Sequence, residues 1–131
     1  MSIWKNGVPQ PQYLTHYDTP TLVEHLGIEV IDATENSLTA RMPVDGRTVQ
    51  PHGRLHGGAS VALAETIGSI ASNLTLDSSE QVGVGLEINA NHIRPVMSGY
   101  VYATATPEAL GRTTQIWSIR IEDEDGRLVC I

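Results

Sequence analysis

Apolar and polar positions along the 131-residue chain change period several times, and each change marks an element. Thr19-Pro20 followed by Thr21-Leu22-Val23-Glu24-His25-Leu26 predicts a short capped helix that Gly27 ends. Ile28 to Ala33 and Leu38 to Val44 read as strands joined by the turn-rich Thr34-Glu35-Asn36-Ser37. In the second strand Leu38, Ala40, Met42 and Val44 share one face, and Thr39 and Arg41 the other. Asp45 to Leu55 reads as a proline-interrupted loop. The one long helical pattern runs from Gly58 to about Leu76. Leu63, Ile67, Ile70 and Leu74 recur at helical spacing, and Val61, Ala62, Ala64 and Ala71 widen the apolar face. So few charges on a helix predict burial on most sides. Val82–Val96, Tyr100–Thr106, Thr113–Glu122 and Leu128 onward then read as strands. Ser98-Gly99 and Asp125-Gly126 are hairpin signals, the second in the form of a type I′ turn. The pattern describes an α+β fold, an antiparallel sheet wrapped around one long central helix. No crossover helices separate the late strands, which argues against α/β.

Composition narrows this further. The length and a 40% hydrophobic content support a single domain over residues 1–131. Residues 1–18 are expected to form an irregular lead-in, since 6–20 hold three of the seven prolines. Met1-Ser2-Ile3-Trp4-Lys5-Asn6-Gly7 lacks the features of a signal peptide, and no apolar run approaches a membrane span. The lone Cys130 excludes an internal disulfide and fits a reducing compartment, so a cytoplasmic protein is expected. The net charge of −7 argues against nucleic acid and against anionic lipid as partners. Any anionic ligand must be met by a few local arginines, for which Arg54, Arg94 and Arg112 are the candidates.

The candidate chemistry centres on the long helix. Glu65 is the sole charged side chain between Arg54 and Asp77. A glutamate on a solvated stripe is the ordinary explanation, but such a face normally carries several charges. An isolated acid in apolar surroundings is suited to general-base work. The helix is entered through Leu55-His56-Gly57-Gly58-Ala59-Ser60, whose free N–H groups and dipole suit an anion or oxyanion. A plain glycine turn explains that segment equally well. Other chemistries have little support. Pro51 and Gly53 spoil His52 and His56 as a helical metal pair, Gly83-Val84-Gly85 lacks the third glycine of a dinucleotide fingerprint, and no Gly-x-Ser-x-Gly elbow is present. Cys130 reads as packing.

Pro43-Val44-Asp45, Arg47-Thr48, Gln50-Pro51, Leu55-His56-Gly57-Gly58-Ala59-Ser60 and Ala64-Glu65-Thr66-Ile67-Gly68-Ser69 together resemble the hotdog-fold acyl-CoA thioesterases. Gly85 to Pro95 and Leu110-Gly111-Arg112 extend the likeness, which runs from about Leu26 to Cys130. The branch resembled is the glutamate-dependent one of 4-hydroxybenzoyl-CoA thioesterase. Within it, the likeness is greatest to the bacterial subgroup of 1,4-dihydroxy-2-naphthoyl-CoA thioesterase and the proofreading thioesterase of enterobactin synthesis. The resemblance implies Glu65 as nucleophile or general base, Gly57 as the N–H polarising the thioester carbonyl, Gln50 and His56 as polar groups around it, and Ser69 as a hydroxyl holding water. It implies coenzyme A contacts in the segments of Gly85, His92, Arg94, Gly111 and Arg112. Neither a metal nor a separate cofactor is implied, since coenzyme A is part of the substrate. Two departures stand out. His52 replaces a usual Phe, which makes the acyl-pocket rim more polar. The family also continues beyond Cys130 to complete the last strand, which is therefore expected to be short or truncated here.

The expected function is hydrolysis of an aryl- or acyl-CoA thioester, with a carrier-protein thioester as the other form the substrate could take. A non-catalytic acyl-CoA-binding protein is the alternative, and an enoyl-CoA hydratase or dehydratase a weaker one. Gly57 and Glu65 lie eight positions apart, so one helix separates their backbones by roughly 12 Å. Both must reach one carbonyl carbon within roughly 3–3.5 Å. A homodimer that brings Glu65 of one subunit to Gly57 of the other is expected, with pairing of dimers into tetramers implied by the resemblance.

Overall fold

The computed structural model describes residues Met1–Ile131. Its elements are α1 (Leu22–His25), β1 (Glu29–Ala33), β2 (Leu38–Pro43), α2 (Gly57–Leu74), β3 (Tyr100–Leu110), β4 (Gln115–Glu122) and β5 (Leu128–Cys130), with a 3-10 turn at Pro11–Tyr13. The strands form one antiparallel sheet in the order β1-β2-β3-β4-β5, and α2 lies across its inner face. The expected α+β architecture is the one observed.

The alternation in β2 decides which face meets the helix. Leu38, Ala40 and Met42 are fully buried and pair with Ala105, Ala103 and Val101 of β3, also fully buried. Alanines at 40, 103 and 105 keep the sheet surface low, so Leu63, Ile67 and Ala71 of α2 pack down to zero exposure. The lead-in is less irregular than its composition predicts. The Ile3 N–H donates to the Glu35 carbonyl, and the Lys5 N–H to the Leu74 carbonyl at the end of α2. Between them Trp4 is buried, stacks on Trp117 at 6.3 Å, and donates its indole N–H to the Thr34 carbonyl at 2.7 Å.

Four expectations fail. Val82–Val96 is extended but is not a strand of this sheet. Residues 91–94 bond to main chain at Ile131 and Val129, with a single bridge from His92 to Cys130, and the Val96 carbonyl accepts the Leu55 N–H at 2.8 Å. The Val84–Ala90 main chain pairs with no other main-chain group. Gly99 therefore turns the chain towards β3 across the sheet rather than closing a hairpin with that segment. The β4–β5 turn is not type I′, because Gly126 alone adopts positive φ, at 78°. The Gly126 N–H closes the turn on the Asp123 carbonyl, and Asp123 and Arg127 then pair, giving a three-residue loop with a glycine bulge. Finally, Thr21 stands at the N-cap of α1 without a side-chain cap bond.

Candidate active site

The residues before α2 form a small built structure rather than a loose loop. Val49 and Leu55 form an antiparallel bridge, and the Gln50 N–H reaches the Arg54 carbonyl at 2.7 Å. The chain reverses between them as the Gly53 N–H donates to the Gln50 carbonyl at 2.9 Å. The Gln50 side-chain oxygen accepts the His52 N–H, so its amide N–H groups remain available as donors. His56 follows as the N-cap of α2. Its own N–H is fixed to the Thr48 carbonyl at 2.9 Å, and its Nδ1 accepts the Gly58 N–H at 2.8 Å. In the neutral ring, Nε2 then carries the proton and is a donor.

This cap distributes the first-turn N–H groups unequally. That of Gly58 goes to the imidazole, and those of Ala59 and Ser60 go to the His56 carbonyl. The Gly57 N–H has no acceptor within the chain. A free N–H at the positive end of an 18-residue helix can hold a developing oxyanion. Gly57 also lacks the side chain that would exclude His92, whose Nε2 stands 2.9 Å from where a Cβ would be.

Glu65 is exposed, which corrects the expectation that the helix buries it. Leu63, Ile67 and Ala71 take the core face, and Gly58, Glu65 and Ser69 lie along the opposite stripe. The carboxylate rests against Gly85 of the extended segment: a Cβ there would stand 3.0 Å from Oε2. Ser69 lies one turn further on the same exposed stripe.

The structure thus sorts the candidates into three groups. Gln50, His56, Gly57, His92 and Arg94 gather at the start of α2 or on the extended segment beside it. Glu65, Ser69 and Gly85 stand mid-helix. Gly111 and Arg112 sit in the β3–β4 turn near the far end, where Gln115 bonds the Thr75 hydroxyl at 2.8 Å. Gly111 has a local reason to be glycine, since a Cβ would stand 2.7 Å from the Thr114 carbonyl oxygen. Within one chain, α2 separates the first and last groups by roughly 27 Å.

The arginines divide in the same telling way. Arg41, Arg47, Arg120 and Arg127 each contact a carboxylate, whereas Arg54, Arg94 and Arg112 contact none. Burial pushes the Cys130 thiol up, so it is held as a neutral packing group. No group of three or more His, Cys, Asp or Glu side chains converges as metal ligands would. No helix is long and apolar enough to cross a membrane.

One feature had no sequence signal. A recess of about 280 Å³ lies between α1, the 47–49 loop and the first turns of α2. Leu22, Leu26, Val49, Ala59 and Ala62 supply its apolar wall, and His56 is among its polar lining. Its lining comes from α1, the 47–49 loop and α2, which lie far apart in sequence, so no local pattern could announce it.

An antiparallel sheet across one long helix is the architecture of the hotdog fold. Residues 52–130 match the thioesterase superfamily. The proofreading thioesterase EntH of Cronobacter turicensis is 50% identical over 98% of this chain and 92% of its own length. The 1,4-dihydroxy-2-naphthoyl-CoA hydrolase of Escherichia coli is 51% identical over 82% of this chain and 73% of its own. The crystal structure of a mutant of the Pseudomonas aeruginosa thioesterase PA1618 superposes with a TM-score of 0.96 at 48% identity, covering 99% of this chain and 93% of that one. The chain belongs to the thioesterase superfamily, and its chemistry is thioester hydrolysis.

Proposed function

We propose that the protein is a cytoplasmic acyl- or aryl-CoA thioesterase of the glutamate-dependent branch, with each site shared by two subunits. The observation that carries this reading is the free Gly57 N–H, with His56 capping the same helix end and Gln50 on the loop that leads into it. The thioester carbonyl oxygen sits on that N–H, and the Gln50 amide helps to orient it. Glu65 of the partner subunit acts as nucleophile or as the base that deprotonates water, with Ser69 beside it holding the water. As a base, Glu65 takes a proton from water while the water oxygen bonds to the carbonyl carbon. The tetrahedral oxyanion then collapses and breaks the C–S bond, so that the CoA thiolate leaves and takes the proton back from Glu65. As a nucleophile, Glu65 displaces the thiolate to form an anhydride, which water then hydrolyses to the free acid.

Two further observations support the details. The Val84–Ala90 main chain lacks backbone partners and carries exposed Val84, Leu86 and Ile88, as a strand awaiting its mate does. Pairing two such edges with the helices antiparallel brings the far end of one α2 to the start of the other. His92 and Arg94 of one subunit and Arg112 of the next then serve one CoA, where the unpaired guanidiniums meet its phosphates. Gly111 acts through backbone shape. The apolar recess beside His56 takes the acyl or aryl group.

Subunit complementation tests the reading. Glu65→Ala and Gln50→Ala homodimers are expected to be nearly inactive. Mixed under exchanging conditions, half of the dimers become hybrids with one intact site of two, so about a quarter of wild-type thiol release should return. No recovery despite proven exchange would place the site within one chain.

A further inference from the structure

Glu65 lies on the outer stripe of α2, but the chain crosses back over it. Between Gly83 and His92 the extended segment runs the opposite way along the helix, meeting Ser72 first, Glu65 next and Gly57 last. At each meeting one partner is glycine. A Cβ on Gly83 would stand 2.7 Å from the Ser72 hydroxyl, and one on Gly85 would stand 3.0 Å from Glu65 Oε2. Nothing but the Glu65 carboxyl group lies within 4 Å of that second position.

One side chain sets where the crossing falls. Asn73 Oδ1 accepts the Gly83 N–H at 2.8 Å, and its amide nitrogen donates to the Gly83 carbonyl at 3.0 Å and to the Ser69 carbonyl at 2.9 Å. The amide thus replaces a neighbouring strand for one residue, satisfying both main-chain groups of Gly83. In extended chain, residues two apart face the same way, so fixing Gly83 on Asn73 brings Gly85 onto Glu65. A slip of one residue would present Val84 or Leu86 to the carboxylate instead.

We propose that Asn73 and Gly85 are positioning residues for the Glu65 carboxylate. Asn73 fixes the register of the crossing segment through Gly83, and the bare Cα of Gly85 forms the wall on which Oε2 rests. This rests on the reading of Glu65 as the catalytic carboxylate. An exposed glutamate has three rotatable bonds to restrain before it holds a near-attack geometry, and small misplacements there are costly in rate. The resemblance assigns the Gly85 segment to coenzyme A, and the two roles differ in what they move. A positioning role acts on kcat, whereas a ligand contact acts on affinity.

The test is a cycle of variants assayed for single-turnover thiol release, with CoA product inhibition measured in parallel. Gly85→Ala should lower the rate roughly tenfold while the CoA inhibition constant and melting temperature stay as in the wild type. Glu65→Asp withdraws the carboxylate by one methylene from the wall. In that background Gly85→Ala should therefore cost nothing further beyond roughly twofold. Asn73→Ala, which removes the clamp without touching Gly85, should lower the rate with CoA inhibition unchanged. An equal penalty from Gly85→Ala in both backgrounds, or weakened CoA inhibition at unaltered rate, overturns the proposal. Glu65→Gln separates the two levels. If it retains activity, the carboxylate reading itself has failed and the positioning proposal falls with it. If it is inactive while Gly85→Ala is fully active, only the positioning proposal has failed.

Discussion

The imidazole of His92 occupies the space a Gly57 side chain would need, with Nε2 2.9 Å from the position of its Cβ. The ring and the free N–H therefore share one small volume at the start of α2. Gly57→Ala must displace the ring, and its methyl stands beside the donor. It is expected to lower kcat by at least about 10²-fold, the scale of losing one oxyanion donor. Steady-state thiol release on a variant with wild-type melting behaviour checks this. Near-normal kcat would show that the ring's position and the space beside the donor do not matter to the reaction, since alanine keeps the N–H.

The recess beside His56 is bounded on the helix side by Ala59 and Ala62. Ala62→Leu adds three carbons to a space of about 280 Å³. The variant should lose kcat/KM on bulky aryl and long-chain acyl-CoA esters by roughly 10–200-fold, while acetyl-CoA hydrolysis changes little. A uniform change across all chain lengths would place the acyl group elsewhere.

Trp4 fastens the N-terminal segment to the body of the fold through Trp117 and the Thr34 carbonyl. Trp4→Ala should destabilise the protein by about 3–5 kcal/mol, the usual range for emptying a buried aromatic site. Urea titration measures it. Because the segment also bonds the Leu74 carbonyl, protease cleavage should begin near this end in the variant.

Acid should weaken the β4–β5 turn. The Arg127 N–H, backed by the Asp125 N–H and the Arg127 guanidinium, holds the Asp123 carboxyl below the ordinary carboxylate range despite the cost of burial. Asp45 is lowered similarly, first by its hydrogen bonds to the Arg47 side chain, and Asp77 by its bond from the Ser79 hydroxyl. For a carboxyl lowered on folding, the stabilisation is present above the unfolded value, about 3.9, and is lost as pH falls through the folded one. Melting temperature should therefore fall steeply below about pH 4. Asp123→Asn should melt lower at neutral pH and lose part of that slope. An identical slope in the variant would assign acid sensitivity to other groups.

The sequence spoke clearly wherever a pattern was local and one-sided. Leu38, Ala40 and Met42 alternate because one face of β2 meets α2 and the other does not, and the buried face is the apolar one. Gln50, His56 and Gly57 could be grouped because they lie within a few residues of one helix start. Val82–Val96 carries the alternation of a paired strand throughout, yet its 84–90 stretch has no main-chain partner in the chain, and periodicity cannot distinguish a paired stretch from an unpaired one. Glu65 misled for the same reason. A helix stripe without charges looks like core whether it meets its own sheet or another surface. Asp125-Gly126 fits several turns, and the Asp123 carboxylate, by taking two main-chain N–H groups, settled which one forms. The Asn73–Gly83 pair lies ten residues apart in sequence and follows no motif, so only the folded chain reveals it.

The bare stretch from Val84 to Ala90 also bears on solubility. A newly synthesised chain offers there a row of unsatisfied N–H and C=O groups flanked by valine, leucine and isoleucine, which any extended polypeptide can occupy. Asn73 guards one end by engaging Gly83, and Pro95, which has no N–H to offer, limits the other. The unguarded middle can pair with another chain in an ordered way or in an insoluble aggregate. Which outcome prevails depends on how quickly chains are made relative to how quickly they meet. Overproduction of this protein should therefore fail first by precipitation of folded chains, and slower synthesis at lower temperature should recover them.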